Sequence, residues 1–193
     1  LVYNFDTDVS LNAIYAFSDE NVWVAGIKDE NSIIYHYAGG NWIEIIPPNI
    51  GEINDIDFSS ENSGWAVGGT DGWDSDGGVL YYNGTVWSID ENIPAAHSVD
   101  VNSAADIWFI DSYQGCYHYI NGNYNQLELN GWDIQVEDDF GIIVTDGGST
   151  TIESYVYDGF SWVDGGYITY AAGTIFGKPS RLVMIDNENI YVA

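Results

Sequence analysis

The chain has 193 residues, with 30 acids against 3 basic residues, a net charge of −27, and a 46% hydrophobic share. That share supports a packed core and excludes an intrinsically disordered chain. Lys28, Lys178 and Arg181 are the only cations, which excludes nucleic acid and anionic membrane surfaces as partners, since both are bound chiefly through Lys and Arg.

The length predicts one domain over residues 1–193. No apolar run approaches the roughly 18 residues of a bilayer-spanning helix, and no segment has the period of an amphipathic helix. Leu1, with neither Met nor a charged and apolar leader behind it, predicts a mature or excised piece. The first run, Leu1-Val2-Tyr3-Asn4-Phe5-Asp6, resembles Leu80-Tyr81-Tyr82-Asn83-Gly84-Thr85. A strand follows from Leu11 to Phe17, then Asn21-Val22-Trp23-Val24-Ala25-Gly26, then Ile33-Ile34-Tyr35-His36-Tyr37 turning into Trp42-Ile43-Glu44-Ile45. The same order returns. Ile53 to Phe58 precedes Ser63-Gly64-Trp65-Ala66-Val67-Gly68, and Tyr82-Gly84-Trp87 marks the next hairpin. His97 to Val101 precedes Asp106-Ile107-Trp108-Phe109-Ile110-Asp111, with a degenerate hairpin at Tyr119 to Tyr124. Trp132 to Val136 precedes Gly141-Ile142-Ile143-Val144-Thr145-Asp146 and the hairpin Tyr157-Gly159-Trp162; Asn189-Ile190-Tyr191-Val192-Ala193 repeats the Trp-led run once more.

Four short strands recurring at about 40 residues are the signature of a propeller blade. The chain is predicted to start at the third strand of a blade and to end at the second strand of one. Pairing those ends gives an all-β propeller of five four-stranded blades, and closure hides the open edges. A fragment of a larger propeller is the alternative. The Trp-x-x-Gly and Tyr-x-Gly-x-x-Trp repeats resemble those of exported bacterial and archaeal β-propellers, in the style of the sialidase-like (Asp-box), Kelch-like and photosystem II assembly-factor groups. The full Asp-box, Ser-x-Asp-x-Gly-x-x-Trp, is not matched. A sialidase also needs an arginine cluster, and Arg181 is the sole arginine. The resemblance implies a fold that hosts many unrelated functions.

Asp71-Gly72-Trp73-Asp74-Ser75-Asp76-Gly77-Gly78 is the outstanding local feature. Alternating carboxylates with Ser and Gly suit a Ca²⁺ ion, so Asp71, Asp74 and Asp76 are the metal-ligand candidates, against a solvated acidic loop. An EF-hand is absent, because position 12 from Asp71 is Tyr82 rather than Glu. Glu137-Asp138-Asp139, Asp6 and Asp8 are weaker candidates. Trp23, Trp65 and Trp108 recur in register and are expected between blades; Trp42, Trp87 and Trp162 are expected to shield the outer hairpins. Trp73 and Trp132 fall outside both registers and are the candidates for stacking on a ligand. His36 and His118 share one repeat position, which predicts a structural role rather than a common metal; His97 reads as a hydrogen-bonded inner-strand residue. Cys116 has no partner for an internal disulfide and is expected to be packed. Asn83-Gly84-Thr85 is a lone sequon.

The absence of a nucleophile–His–Asp spacing, a phosphate-cradling loop and a CxxC motif favours a non-enzymatic protein without catalytic residues. Its expected setting is extracellular or on a cell surface, with a glycan, a protein or further copies of itself as partner. The alternative is a small glycoside hydrolase or lyase working through inner-strand carboxylates, for which Asp55, Asp57, Asp100 and Asp133 are the candidates. Asp55 and Asp57 share a strand face, so that pair can converge.

Overall fold

The computed structural model describes residues 8–69, 77–137, 140–146, 151–169, 182–186 and 189–192. The chain divides into two compact units, Leu1–Ala96 and His97–Ala193. The first contains two four-stranded antiparallel meanders: β1 (Val9–Ser18), β2 (Asn21–Lys28), β3 (Asn31–Ala38) and β4 (Asn41–Ile45), then β5 (Ile53–Ser60), β6 (Ser63–Gly68), β7 (Gly78–Tyr82) and β8 (Trp87–Ile89). The second contains two more: β9 (Ser98–Ser103), β10 (Asp106–Asp111), β11 (Gly115–Ile120) and β12 (Asn123–Leu127), then β13 (Asp133–Glu137), β14 (Phe140–Asp146), β15 (Thr151–Tyr157) and β16 (Trp162–Thr169). A pair, β17 (Leu182–Asp186) and β18 (Asn189–Val192), follows. Every Trp-led run is the second strand of its sheet, and every Tyr-x-Gly-x-x-Trp stretch joins the third strand to the fourth. The predicted strands at His97 and Trp132 begin one residue later, at Ser98 and Asp133. Their first amides lead into the ladder, the His97 N–H donating to Ile110 O and the Trp132 N–H to Val144 O.

The turn motif has a direct physical cause. Gly84, Gly122 and Gly159 take φ of +88°, +87° and +87°, a region that favours glycine. Asn83 Oδ1 accepts the Thr85 and Val86 N–H groups, both at 3.0 Å. Asp158 Oδ1 does the same for Phe160 at 3.0 Å and Ser161 at 2.8 Å. The Ser161 and Phe160 amides hold the Asp158 carboxyl below the usual range. The lone sequon residue thus does the work that an Asp does in the equivalent turn.

The Trp-x-x-Gly glycine answers a different constraint. Gly26 pairs with Leu11 and Gly68 with Ile53, each beside a register shift that leaves Asn12 or Asn54 as an extra residue in the first strand. The bulged backbone presses onto the glycine. A Cβ on Gly26 would lie 1.9 Å from Ser10 O, and one on Gly68 2.0 Å from Glu52 O. In sheets three and four the first-to-second-strand ladders end one residue earlier, at Ser98–Ile110 and Asp133–Val144, and at the glycine's place the chain carries Asp111 and Thr145 instead. The motif therefore marks a bulge.

Aromatic rings form the core between successive sheets within each unit. Trp23 is 2% exposed and meets Phe58, Tyr82 and Trp87 at ring-centroid distances of 5.2, 5.2 and 6.1 Å. Trp108, also 2% exposed, meets Tyr157 and Trp162, both at 5.5 Å. Burying a ring of this size is worth on the order of 5 kcal/mol as an upper bound. Trp87 and Trp162 pack at a tilt against Tyr82 and Tyr157 of their own hairpins, yet also reach the Trp of the preceding sheet. They are part of the inter-sheet core rather than a cover for the outer hairpin. Cys116 is buried beside Ile110 and Ile143, and burial pushes its thiol up to about 12, which leaves it unreactive.

Candidate functional site

The inner-strand carboxylates are positioned by register. Asp57 and Asp100 lie opposite Trp65 and Trp108, at the place that Tyr15 holds opposite Trp23. Asp55 and Asp133 lie opposite Val67 and Val144, at the place that Ser98 holds opposite Ile110. In the second unit these positions join β9 to β13. Asp100 Oδ2 accepts the Val136 N–H at 2.9 Å, and Ser98 Oγ donates to Asp133 Oδ1 at 2.5 Å. Asp133 is 3% exposed and also accepts the Ile134 N–H at 3.0 Å. In the first unit the Tyr15 hydroxyl makes the corresponding crossing, donating to Phe58 O at 3.4 Å. Burial, then the nearby Asp57 carboxylate, push the Tyr15 phenol up. Asp55 and Asp57 each accept the next amide of their own strand, Ile56 at 3.0 Å and Phe58 at 2.7 Å. The structure thus brings Asp100 and Asp133 to one sheet-to-sheet seam, where both accept hydrogen bonds as braces. Asp55 and Asp57 share β5, as expected. A buried carboxylate held this way stabilises the seam, and its loss leaves unpaired donors behind.

The histidines are held by stacking. His36 lies on Trp23 with centroids 3.8 Å apart and planes at 13°, and His118 lies on Trp108 at 3.5 Å and 11°. Each Nε2 meets the first residue of the second strand, Asn21 Oδ1 at 2.8 Å or Asp106 Oδ1 at 2.6 Å. Burial pushes the His36 imidazole down, with Glu61 opposing. His97 packs edge-on against Trp132, with centroids 5.4 Å apart and planes at 90°. Trp132 is 7% exposed, so its ring faces the interior of its unit and offers solvent little area for stacking. Among the described residues no group of three His, Cys, Asp or Glu side chains is arranged to hold a metal. Trp73, Asp71, Asp74 and Asp76 lie outside the described residues, as do Asp6, Asp138 and Asp139.

An open depression of about 400 Å³ lies where β8 ends, lined by Tyr81, Ser88, Ile89, Asp90, Glu91 and Asn92. Antiparallel pairing sets Ser88 opposite Tyr81, so both occupy one face. Asp90 Oδ1 accepts the Asn92 N–H at 3.1 Å and its Nδ2–H at 2.7 Å, which orients the Asp90 carboxylate on the rim. Ile89 is 51% exposed. Sequence reasoning missed this place; the available signal was the run Asp90-Glu91-Asn92 directly after the shortest strand. It missed the 94%-exposed Phe160 as well, because that residue occupies a variable position of the turn motif.

No protein-family model matches the chain, and no curated protein matches it. Solved structures do. YCF48 bound to D1 peptide is 17% identical, with a TM-score of 0.58, over 85% of this chain and 59% of that one. The extracellular domain of BT3049 from B. thetaiotaomicron is 12% identical, with a TM-score of 0.61, over 94% of this chain and 27% of that one. The Aleuria aurantia lectin in complex with Fucalpha1-6GlcNAc is 14% identical, with a TM-score of 0.54, over 84% of this chain and 65% of that one. The fold is that of a β-propeller. This chain spans less than two thirds of the length of each of these propellers. Its four meanders have the form of blades, with β1, β5, β9 and β13 as the first strands.

Proposed function

We propose that this propeller is a non-enzymatic recognition module, extracellular or on a cell surface, that binds a protein or a glycan and can assemble with its own kind. The observation that supports this reading best is the use of Asp100 and Asp133 as acceptors across the β9–β13 seam. Carboxylates committed to bracing the blades are poorly suited to serve as an acid and nucleophile pair. The structural neighbours include a protein bound to a peptide, an extracellular domain and a lectin, which agrees with a binding role of that general kind. The five-blade ring, with strands from residues 1–6 completing the sheet that β17 and β18 begin, belongs to this proposal. So does Ca²⁺ at Asp71, Asp74 and Asp76, with Trp73 beside it as a stacking ring.

The test is a screen of the purified chain on glycan and peptide arrays, with hydrolysis of model glycosides followed in parallel. Saturable binding without turnover is expected. Turnover that vanishes in Asp55→Asn, Asp57→Asn, Asp100→Asn or Asp133→Asn at unchanged melting temperature would establish the hydrolase alternative instead.

A further inference from the structure

We infer that the depression at the end of β8 is a docking surface for an extended basic segment of a partner protein. This rests on the recognition reading above and adds the place and the chemistry. β8 is the outermost strand of its sheet, and only Trp87 of its three residues is buried. Ser88 and Ile89 are exposed beside the depression, so an extended chain has both an edge and a surface to lie along. The lining carries two acids, Asp90 and Glu91, and no basic residue. Of the chain's three cations, Lys28 lies in the first blade, 3.2 Å from Glu44.

Charge complementarity selects the partner. At a net charge of −27, an acidic segment is repelled at a distance, a second copy approaches only once bound cations offset the same repulsion, and a neutral saccharide gains nothing from the field. A Lys- or Arg-bearing segment is steered in. Once there, its aliphatic stems find the exposed Ile89 side chain, its charged heads meet Asp90 and Glu91, and the Tyr81 ring offers a face for a guanidinium.

The probe is a heptapeptide alternating Arg or Lys with Leu, set against the same peptide with Glu at the basic positions. Each is titrated into the ¹⁵N-labelled full chain at 150 mM NaCl, and a mixture of neutral oligosaccharides serves as the third arm. Saturable shifts centred on Tyr81 and Ser88–Asn92 are expected for the basic peptide alone. Glu91→Lys should weaken that binding about tenfold or more, and Ile89→Ser should weaken it with the melting temperature unchanged. Shifts scattered over the acidic surface and indifferent to Glu91→Lys would reduce the effect to general charge attraction and overturn the inference. So would saccharide-induced shifts at these residues without peptide-induced ones. A peptide or glycan bound elsewhere overturns the docking site but leaves the recognition reading standing, whereas a chain that binds nothing on the arrays loses both.

Discussion

Trp108 illustrates how one residue carries both blade and seam. Its ring is stacked on His118 of its own sheet and met by Tyr157 and Trp162 of the next. Trp108→Ala should therefore cost about 3–5 kcal/mol, read as a shift of the denaturant midpoint, because a large void opens between two sheets. His36 makes a second prediction. Burial holds its folded pKa below the ordinary 6.5, so the neutral ring's contribution is complete above that value and is lost as pH falls through the folded pKa. Carboxylate protonation moves stability as well, so the informative quantity is the difference between wild type and His36→Phe. Measured by thermal melts between pH 8 and 5, that difference should narrow towards acid; a constant difference would show that the ring's protonation is not coupled to folding. The repeat position of His36 and His118 was legible in the sequence, because a residue opposite a recurring Trp sees the same neighbours in each blade. The burial of Trp132 was not legible. Its place outside the Trp registers suggested exposure, whereas the folded chain packs it edge-on against His97.

At the scale of strands and turns, the two motifs record two different demands on glycine. In Gly26 and Gly68 the demand is space, since a bulged first strand occupies the volume of a side chain. In Gly122 it is conformation alone, with φ at +87° and no atom within 4 Å of an added Cβ. Gly26→Ala should thus lower stability by more than about 2 kcal/mol, while Gly122→Ala should cost only about 1 kcal/mol of left-handed strain. Equal losses in urea unfolding would contradict this division. Strand order and hairpins were readable because alternation and turn chemistry are local. The bulges were not, since an extra residue in one strand becomes evident only from the register of its partner. The braces escaped for a related reason: Asp100 and Asp133 look like any inward carboxylate until β9 and β13 are placed side by side.

For the molecule as a whole, acidity and assembly are the properties at issue. If Asp71, Asp74 and Asp76 bind Ca²⁺, neutralising part of the −27 charge relieves self-repulsion. Light scattering on a sizing column should then show a smaller radius or a larger assembly with Ca²⁺ than with chelator. An identical mass and radius in both would remove the ion from the proposal. The sharpest distinction between a recognition propeller and a hydrolase still falls at the β9–β13 seam. The decisive measurement is the melting temperature of Asp133→Ala beside that of the wild type. Removing a buried carboxylate that accepts Ser98 Oγ and the Ile134 N–H should cost about 2 kcal/mol, a fall of roughly 4–8 °C for a chain of this size. An unchanged melting temperature would contradict the brace and return Asp133 to the candidates for chemistry.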